Sequence, residues 1–150
     1  MDTRITEKLS QIQKLKKEID TLRPLSQSEL RELKKWYDVT YTFHSNAIEG
    51  NSLTLEETRV VVEDGLTVEG HPLRELLEAK NHKEMIDKLV EVVREKCDIT
   101  EKLILEFFKL FLKGIDDENA GRYRKVQVYI TGEEKLPPPA SDVPKLMKEL

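Results

Sequence analysis

The sequence predicts a mainly helical fold that carries one β-hairpin near its C-terminal end. Apolar residues recur at every third or fourth position as far as Leu112, which is the period of amphipathic helices. From position 125 onward, apolar side chains instead alternate with polar or aromatic ones, which is the period of a half-buried strand. Charged residues make up 36% of the chain, compared with about 25% in an average globular domain. That surplus is typical of helices with solvated faces.

Size and composition restrict the class of protein. The 150 residues suit one domain, and the net charge of −4 argues against bulk electrostatic binding of nucleic acid. Cys97 is the single cysteine, which excludes an internal disulfide and favours a reducing compartment. The N-terminus lacks the apolar segment of a secretory signal, and no apolar run is long enough to span a membrane. We therefore expect a cytoplasmic protein that has no membrane partner.

The first predicted helix covers residues 5–22 of an N-terminal region, residues 1–24. Its apolar residues are spaced by three or four positions: Ile5, Leu9, Ile12, Leu15, Ile19 and Leu22. Pro24 ends the helix. Two interpretations remain open. The helix either packs on its own domain or pairs with another helix as a short coiled-coil seam, interrupted by Lys8.

The second region, residues 25–53, is predicted to be one long helix followed by a reversal of the chain. Ser26 and Glu29 have the spacing of a capping box, which marks the start of the helix. Gly50 is suited to its C-terminal end.

The third region, residues 54–150, is predicted to contain the remaining helices. A second capping-box pair, Thr54 and Glu57, predicts a short helix that ends near Gly65. A long amphipathic helix follows from Pro72. Thr100 then caps a helix that is apolar nearly all round, and such a helix is expected at the centre of the core.

The hairpin is predicted within residues 121–139. Its first strand contains Val126, Val128 and Ile130, and residues 131–134 form the turn. Prolines 137–139 restrict any returning strand to a sheet edge. Ser141 or Asp142 then caps a last helix whose apolar residues predict further chain, so the fold is expected to be C-terminally incomplete.

Few residues have the spacing of a catalytic or metal site. His44, His71 and His82 are not spaced as metal ligands, and Cys97 has no histidine near it in the sequence. No glycine-rich phosphate loop is present. A pair of arginines, Arg122 and Arg124, either binds a phosphate or forms ion pairs, and we favour ion pairs with Asp116, Asp117 or Glu118.

The most informative segment covers residues 45–51. Ser45 and Glu49 are four positions apart and therefore share one side of the helix. Glu49 lies at the helix C-terminus, where the helix dipole disfavours an anion. The segment is therefore either a plain helix end or a binding or regulatory element whose carboxylate has a cation elsewhere.

Through Ser45, Glu49 and Gly50 this segment resembles the inhibitory motif (S/T)xxxE(G/N) of Fic-domain proteins. The resemblance is to Fic proteins that have an N-terminal inhibitory helix, and it covers about residues 22–150. The other segments that resemble the family, in the same order, are residues 22–25, 51–55, 82–84, 120–124 and 137–139.

The resemblance implies a protein adenylyltransferase, which transfers AMP from ATP, with Mg²⁺, to a hydroxyl side chain of a target protein. It also implies a homodimer. In the family the inhibitory glutamate pairs with the second arginine of the catalytic loop, so that ATP cannot take its productive pose. By resemblance, Glu49 is that glutamate.

The resemblance also assigns a role to the predicted hairpin, which corresponds to the flap of Fic proteins. The flap covers the active site and holds the target segment by strand addition. The flap residues expected to face the nucleotide and the target are Val128, Tyr129, Ile130, Thr131 and Gly132.

This chain lacks the family's catalytic loop, HxFx(D/E)GNGRxxR, so the sequence predicts no catalytic residue and no metal ligand in it. We therefore expect the autoinhibitory and flap-bearing portion of a protein adenylyltransferase, inactive by itself. Two alternatives remain: an inhibitor or binding module that acts on a separate protein, or a helical dimerisation module.

Overall fold

The computed structural model describes residues 3–22, 24–132 and 135–149. Over these ranges the chain is mainly helical, as predicted. The helices are α1 (Thr3–Thr21), α2 (Gln27–Ile48), α3 (Leu55–Arg59), a π-helical segment (Val60–Asp64), α4 (Leu73–Glu95), α5 (Glu101–Leu112) and α6 (Val143–Lys148). None of the described helices combines the length and the apolar character needed to cross a membrane.

The chain divides into two compact units, residues 1–36 and 37–150. In the first unit, α1 and the start of α2 form where the sequence predicted them. The capping box of α2 is confirmed, because the Ser26 amide donates to Glu29 Oε2 at 2.8 Å and the Glu29 amide donates to Ser26 Oγ at 3.2 Å. The apolar stripe of α1 is at least half exposed from Ile5 to Leu22. Pairing of this stripe with another helix remains a prediction.

The second unit has a small core that joins the segment after α2 to α4. Leu53, Val61, Leu76 and Ala79 are buried together, and Val68 packs against them. The predicted capping box at Thr54 is present and starts α3. Through these contacts the connection between α2 and α4 lies on the first turns of α4.

A pair of hydrogen bonds attaches the end of α5 to α4. The Asn81 side-chain amide donates to the carbonyl oxygens of Phe111 (3.0 Å) and Lys113 (2.7 Å), which are otherwise unpaired at a helix C-terminus. Thr100 caps the other end of α5, as predicted.

The expectation that α5 lies at the centre of the core was wrong. None of its residues is fully buried, and Phe108 is 39% exposed. The apolar pattern of α5 is real, but α5 packs against α4 on one side. The segment after α5 covers another part of its surface, because Gly121 lies against Lys109 and the Tyr123 hydroxyl donates to Glu101 Oε1 at 3.0 Å. The two contacts together leave the side chains of α5 only partly covered.

The predicted hairpin was also wrong for the described part of the chain, which contains no strand. The apolar side chains of the predicted first strand are exposed, since Val126 is 68% and Ile130 is 57% accessible. Prolines lack the N–H donor that a ladder needs. The two arms are joined instead by side chains, because Arg124 donates to the Pro138 carbonyl and Gln127 Nε2 donates to the Pro137 carbonyl at 3.1 Å. Residues 133 and 134 of the predicted turn lie outside the described residues.

Candidate functional site

The candidate site is built around the C-terminal end of α2, which closes at Gly50 as predicted. Gly50 has φ = +91°, a conformation that side chains other than glycine strongly disfavour. Its amide donates to Ala47 O at 3.1 Å, and the Asn51 amide donates to Asn46 O at 3.0 Å. This pair of bonds is the Schellman motif. Glu49 is therefore held as the last residue before the chain reverses.

A cavity of about 450 Å³ opens beside this helix end. Two of the three residues predicted for the inhibitory motif, Ser45 and Glu49, line it, whereas Gly50 does not. The complete lining comes from α2, α4 and α5: Ser45, Asn46, Glu49, Arg74, Glu78, His82, Met85 and Phe111. The structure thus brings the predicted motif together with α4 residues that are about thirty positions away in the sequence.

The charges around the cavity leave Glu49 without a cation among the described residues. Glu49 is exposed, and its carboxylate forms no hydrogen bond or ion pair with any of them. Arg74 is already occupied, because its Nε donates to Glu78 Oε1 at 2.9 Å, and this bond raises the pKa of Arg74. The other oxygen of Glu78 accepts from Asn51 Nδ2 at 3.1 Å. The charged groups that line the cavity, two carboxylates and one guanidinium, therefore leave one net negative charge.

The inner wall of the cavity contains a neutral histidine. His82 is buried, and its Nδ1 is hydrogen-bonded to Thr42 Oγ1 at 2.9 Å. Its ring packs near those of Tyr41 and Phe111. Burial lowers the pKa of His82, so the imidazole is uncharged at neutral pH. His82 therefore adds no positive charge to the cavity.

Sequence reasoning missed the inward positions of Asn46 and His82. Helical periodicity gives a partial signal for each, because it shows which residues share a face but not which face is buried. Asn46 is four positions after Thr42 on α2, and His82 is three positions after Ala79 on α4, so each shares a face with a buried neighbour. Polar residues on an inward face are candidates for recognition.

The structure does not bring the predicted flap residues to this cavity. Val128, Tyr129, Ile130, Thr131 and Gly132 are exposed and do not line it. A separate recess of about 350 Å³ lies between α5 and the start of this segment. Its lining includes Arg122, Tyr123 and Arg124.

Within the described residues, the prediction that Arg122 and Arg124 form ion pairs with Asp116, Asp117 or Glu118 was wrong. Arg124 donates to the Val126 and Pro138 carbonyls. Asp117 accepts from the Gly114 amide at 2.8 Å, and Asp116 accepts from Asn119. These carboxylates close the turn after α5.

A polar cluster fixes the chain that follows Glu49 onto α4. Both the amide and the hydroxyl of Ser52 donate to Glu75 Oε2, at 2.9 and 2.6 Å. His71 lies between Glu75 and Glu57, with Nε2 at 3.1 Å from Glu57 Oε1. The hydrogen bonds from Ser52 lower the pKa of Glu75. Bonds from the Thr54 amide and hydroxyl, and then His71, lower the pKa of Glu57 to about 2.

The sequence is similar to part of several larger proteins. No protein-family model matches the chain. A "Protein adenylyltransferase Fic" of Drosophila yakuba is 32% identical over 139 residues, which are 91% of this chain and 28% of that protein. The Drosophila melanogaster protein of the same name is 33% identical over 123 residues, 82% of this chain and 25% of the relative. The chain thus spans about a quarter of the length of these curated relatives.

Solved structures show the same likeness in the fold. A Fic domain containing signaling protein from Bacteroides thetaiotaomicron superimposes with a TM-score of 0.82 at 24% identity, over 92% of this chain and 53% of that one. Fic-1 from C. elegans superimposes with a TM-score of 0.77 at 28% identity, over 98% and 43% of the two chains.

Replacing Gly50 tests the closure of α2. Gly50→Ala is expected to lower the free energy of unfolding by about 1–2 kcal/mol, because an L side chain disfavours the left-handed conformation. A Cβ atom at this position meets no other atom within 4 Å, so the cost is conformational. Urea unfolding measures it. Gly50→Asn is the control and is expected to cost less, since asparagine tolerates this conformation. Equal stability of all three proteins would contradict the assigned turn.

The pKa of Glu57 predicts a pH dependence. The carboxylate is stabilised in the folded state, so its contribution is complete above its ordinary pKa of 4.5 and is lost as the pH falls towards about 2. Glu57→Gln is therefore expected to flatten the pH dependence of the free energy of unfolding between pH 4.5 and about 2. Glu63→Gln, an exposed neighbour, serves as the control. A Glu57→Gln curve parallel to that of the unsubstituted protein over this window would refute the assignment.

Proposed function

We propose that this chain, which belongs to the Fic family, is the regulatory portion of a protein adenylyltransferase and that Glu49 is its inhibitory residue. The observation that carries the proposal is the position of Glu49, whose carboxylate has no partner among the described residues and is held beside a cavity by the hydrogen-bonded end of α2. The match to curated protein adenylyltransferases over most of the chain supports it.

The reaction is proposed for the complete protein, because this chain spans about a quarter of those relatives. A hydroxyl oxygen of the target protein attacks the α-phosphorus of ATP. The bond between the α-phosphorus and the oxygen that bridges to the β-phosphate breaks. AMP remains on the target, and pyrophosphate leaves with the electron pair of that bond. The proton of the hydroxyl passes to a base in the remainder of the protein.

The residues of this chain do not by themselves fit ATP and Mg²⁺. The charged groups that line the cavity are two carboxylates and one guanidinium, and that guanidinium is bonded to Glu78. This balance disfavours a triphosphate. Within the described ranges, no cluster of three histidine, cysteine or acidic side chains is placed to hold a metal ion. We therefore assign nucleotide and metal binding to the remainder of the protein, and we expect no AMP transfer by this chain alone.

The electrostatics of its position support the proposal that Glu49 is inhibitory. The partial negative charge of a helix C-terminus adds to that of the carboxylate, so the two together attract a cation. In the complete protein the cation is the second arginine of the catalytic loop. An arginine bonded to Glu49 is unavailable to the γ-phosphate, and ATP then binds in a pose that does not react. Ser45 lies one turn earlier on the same face and completes this wall.

We also propose that the exposed segment 128–132 contacts the nucleotide and the target in the complete protein. Tyr129 is 74% and Ile130 is 57% accessible, so their side chains are available to a partner. The side chains of Arg124 and Gln127 attach the base of the segment to the prolines.

Substitution of Glu49 in the complete protein tests the proposed function. Glu49→Gly is expected to raise AMP transfer at saturating ATP and Mg²⁺ by at least tenfold, because the arginine is released. Glu49→Gln, which removes only the charge, should also raise it. Intact-mass spectrometry of the target measures the transfer. Glu106→Gln, on the exposed side of α5, is the control and should not change the rate. An unchanged rate for Glu49→Gly would reject Glu49 as the inhibitor.

The exposed stripe of α1 favours a second role, self-association. Five apolar side chains of α1, together with Leu22 directly after the helix, are between 50% and 75% accessible. Burial of such a stripe against a second copy is the usual driving force of a helix pair. We propose that the protein is a homodimer to which this seam contributes. Light scattering of the chain with and without residues 1–24 is expected to show a lower mass for the shortened form. An unchanged mass would reject the seam.

A further inference from the structure

Asn46 has a buried side-chain amide without a partner. The residue is 6% exposed, and its Nδ2 donates to no atom of the described residues. Its main-chain carbonyl is fully used, since it accepts from the amides of Glu49 at 3.1 Å and Asn51 at 3.0 Å. A buried donor without an acceptor destabilises a fold by more than a typical hydrogen bond stabilises it. The buried Nδ2 donor of Asn46 therefore lowers the stability of the fold, and no hydrogen bond among the described residues compensates for it.

The other buried asparagine shows that this fold can satisfy such a group. Asn81 is 2% exposed, and its Nδ2 donates to two carbonyl oxygens at the end of α5. Among the described residues, Asn46 Nδ2 is the only buried side-chain nitrogen or oxygen atom without a partner. A buried group of this kind in a native structure requires an explanation.

The location of Asn46 indicates where its acceptor comes from. Asn46 lines the same cavity as Glu49, which is three positions later on the same side of α2. The terminal torsion of an asparagine side chain is broad and roughly two-fold, so rotation about it can exchange the positions of Nδ2 and Oδ1. Two carboxylates, Glu49 and Glu78, also line that space, and they disfavour a charged acceptor such as a carboxylate or a phosphate. A neutral carbonyl oxygen fits.

We propose that Asn46 is a positioning residue, which donates from Nδ2 to a main-chain carbonyl oxygen of the segment that carries the arginine bound by Glu49. This inference rests on the proposed function and adds a second point of attachment. Glu49 supplies the ion pair, and Asn46 supplies a neutral, directional hydrogen bond that fixes the depth of the segment in the cavity. The inhibited state then depends on both residues.

The first test uses the 150-residue chain and a matched pair of variants. Asn46→Leu and Asn81→Leu each replace a buried asparagine with an apolar side chain that has the same branched arrangement of four heavy atoms. Asn46→Leu is expected to leave the urea midpoint of unfolding unchanged or to raise it, because it removes an unpaired donor. Asn81→Leu is expected to lower the midpoint, since two carbonyls lose their donor. A midpoint for Asn46→Leu as low as that of Asn81→Leu would show that Nδ2 has a partner within the chain, and it would overturn the inference.

The second test measures AMP transfer by the complete protein at saturating ATP and Mg²⁺. Asn46→Leu, with Glu49 unchanged, is expected to raise the rate about fivefold, the effect of losing one neutral hydrogen bond. Because the first test measures whether Asn46→Leu destabilises the helix end, a raised rate at an unchanged urea midpoint reports the lost hydrogen bond and not a local structural defect. If Glu49→Gly raises the rate and Asn46→Leu does not, the inference about Asn46 is overturned and the proposed function stands. If Glu49→Gly has no effect, the proposed function fails, and the inference fails with it.

Discussion

The candidate site depends on the closure of α2 at Gly50. The two hydrogen bonds of this turn engage the carbonyls of Asn46 and Ala47 and require a positive φ at Gly50. They also determine which residue comes last before the reversal, and that residue is Glu49. The Asn51 side chain continues the attachment by donating to the Glu75 carbonyl at 3.0 Å and to Glu78. One turn thus fixes both the carboxylate and the distance between α2 and α4.

Two polar groups near this turn have no partner among the described residues. Glu49 has no cation among the described residues, and Asn46 has no acceptor. The neighbouring groups are satisfied: Glu78 accepts two hydrogen bonds, and His82 is neutral and bonded to Thr42. Under the proposed function, the Asn46 donor and the Glu49 carboxylate are the two groups that bind the remainder of the protein, one through a neutral hydrogen bond and the other through an ion pair.

Local sequence signals predicted the local features well. The capping boxes at Ser26 and Thr54 and the cap at Thr100 are present, because each depends on hydrogen bonds between residues three positions apart. The end of α2 at Gly50 likewise depends on hydrogen bonds between residues that are close in the sequence. The hairpin failed, because alternation predicts a strand only where a second strand pairs with it, and the prolines lack donors. The apolar pattern of α5 likewise predicted burial, which depends on neighbours that the pattern does not specify.

By itself, the sequence determined the helical class, the helix ends and the placement of Ser45 and Glu49 on one helical face, since these follow from backbone geometry and short-range hydrogen bonds. Resemblance to Fic proteins added the proposed inhibitory role of Glu49. The tertiary structure alone decided that Asn51 is bonded to Glu78, that His82 is buried in the cavity wall, and that Asn46 is enclosed without an acceptor among the described residues. These features depend on how α2 and α4 pack together, and partners far apart in the sequence cannot be assigned from spacing along one chain segment.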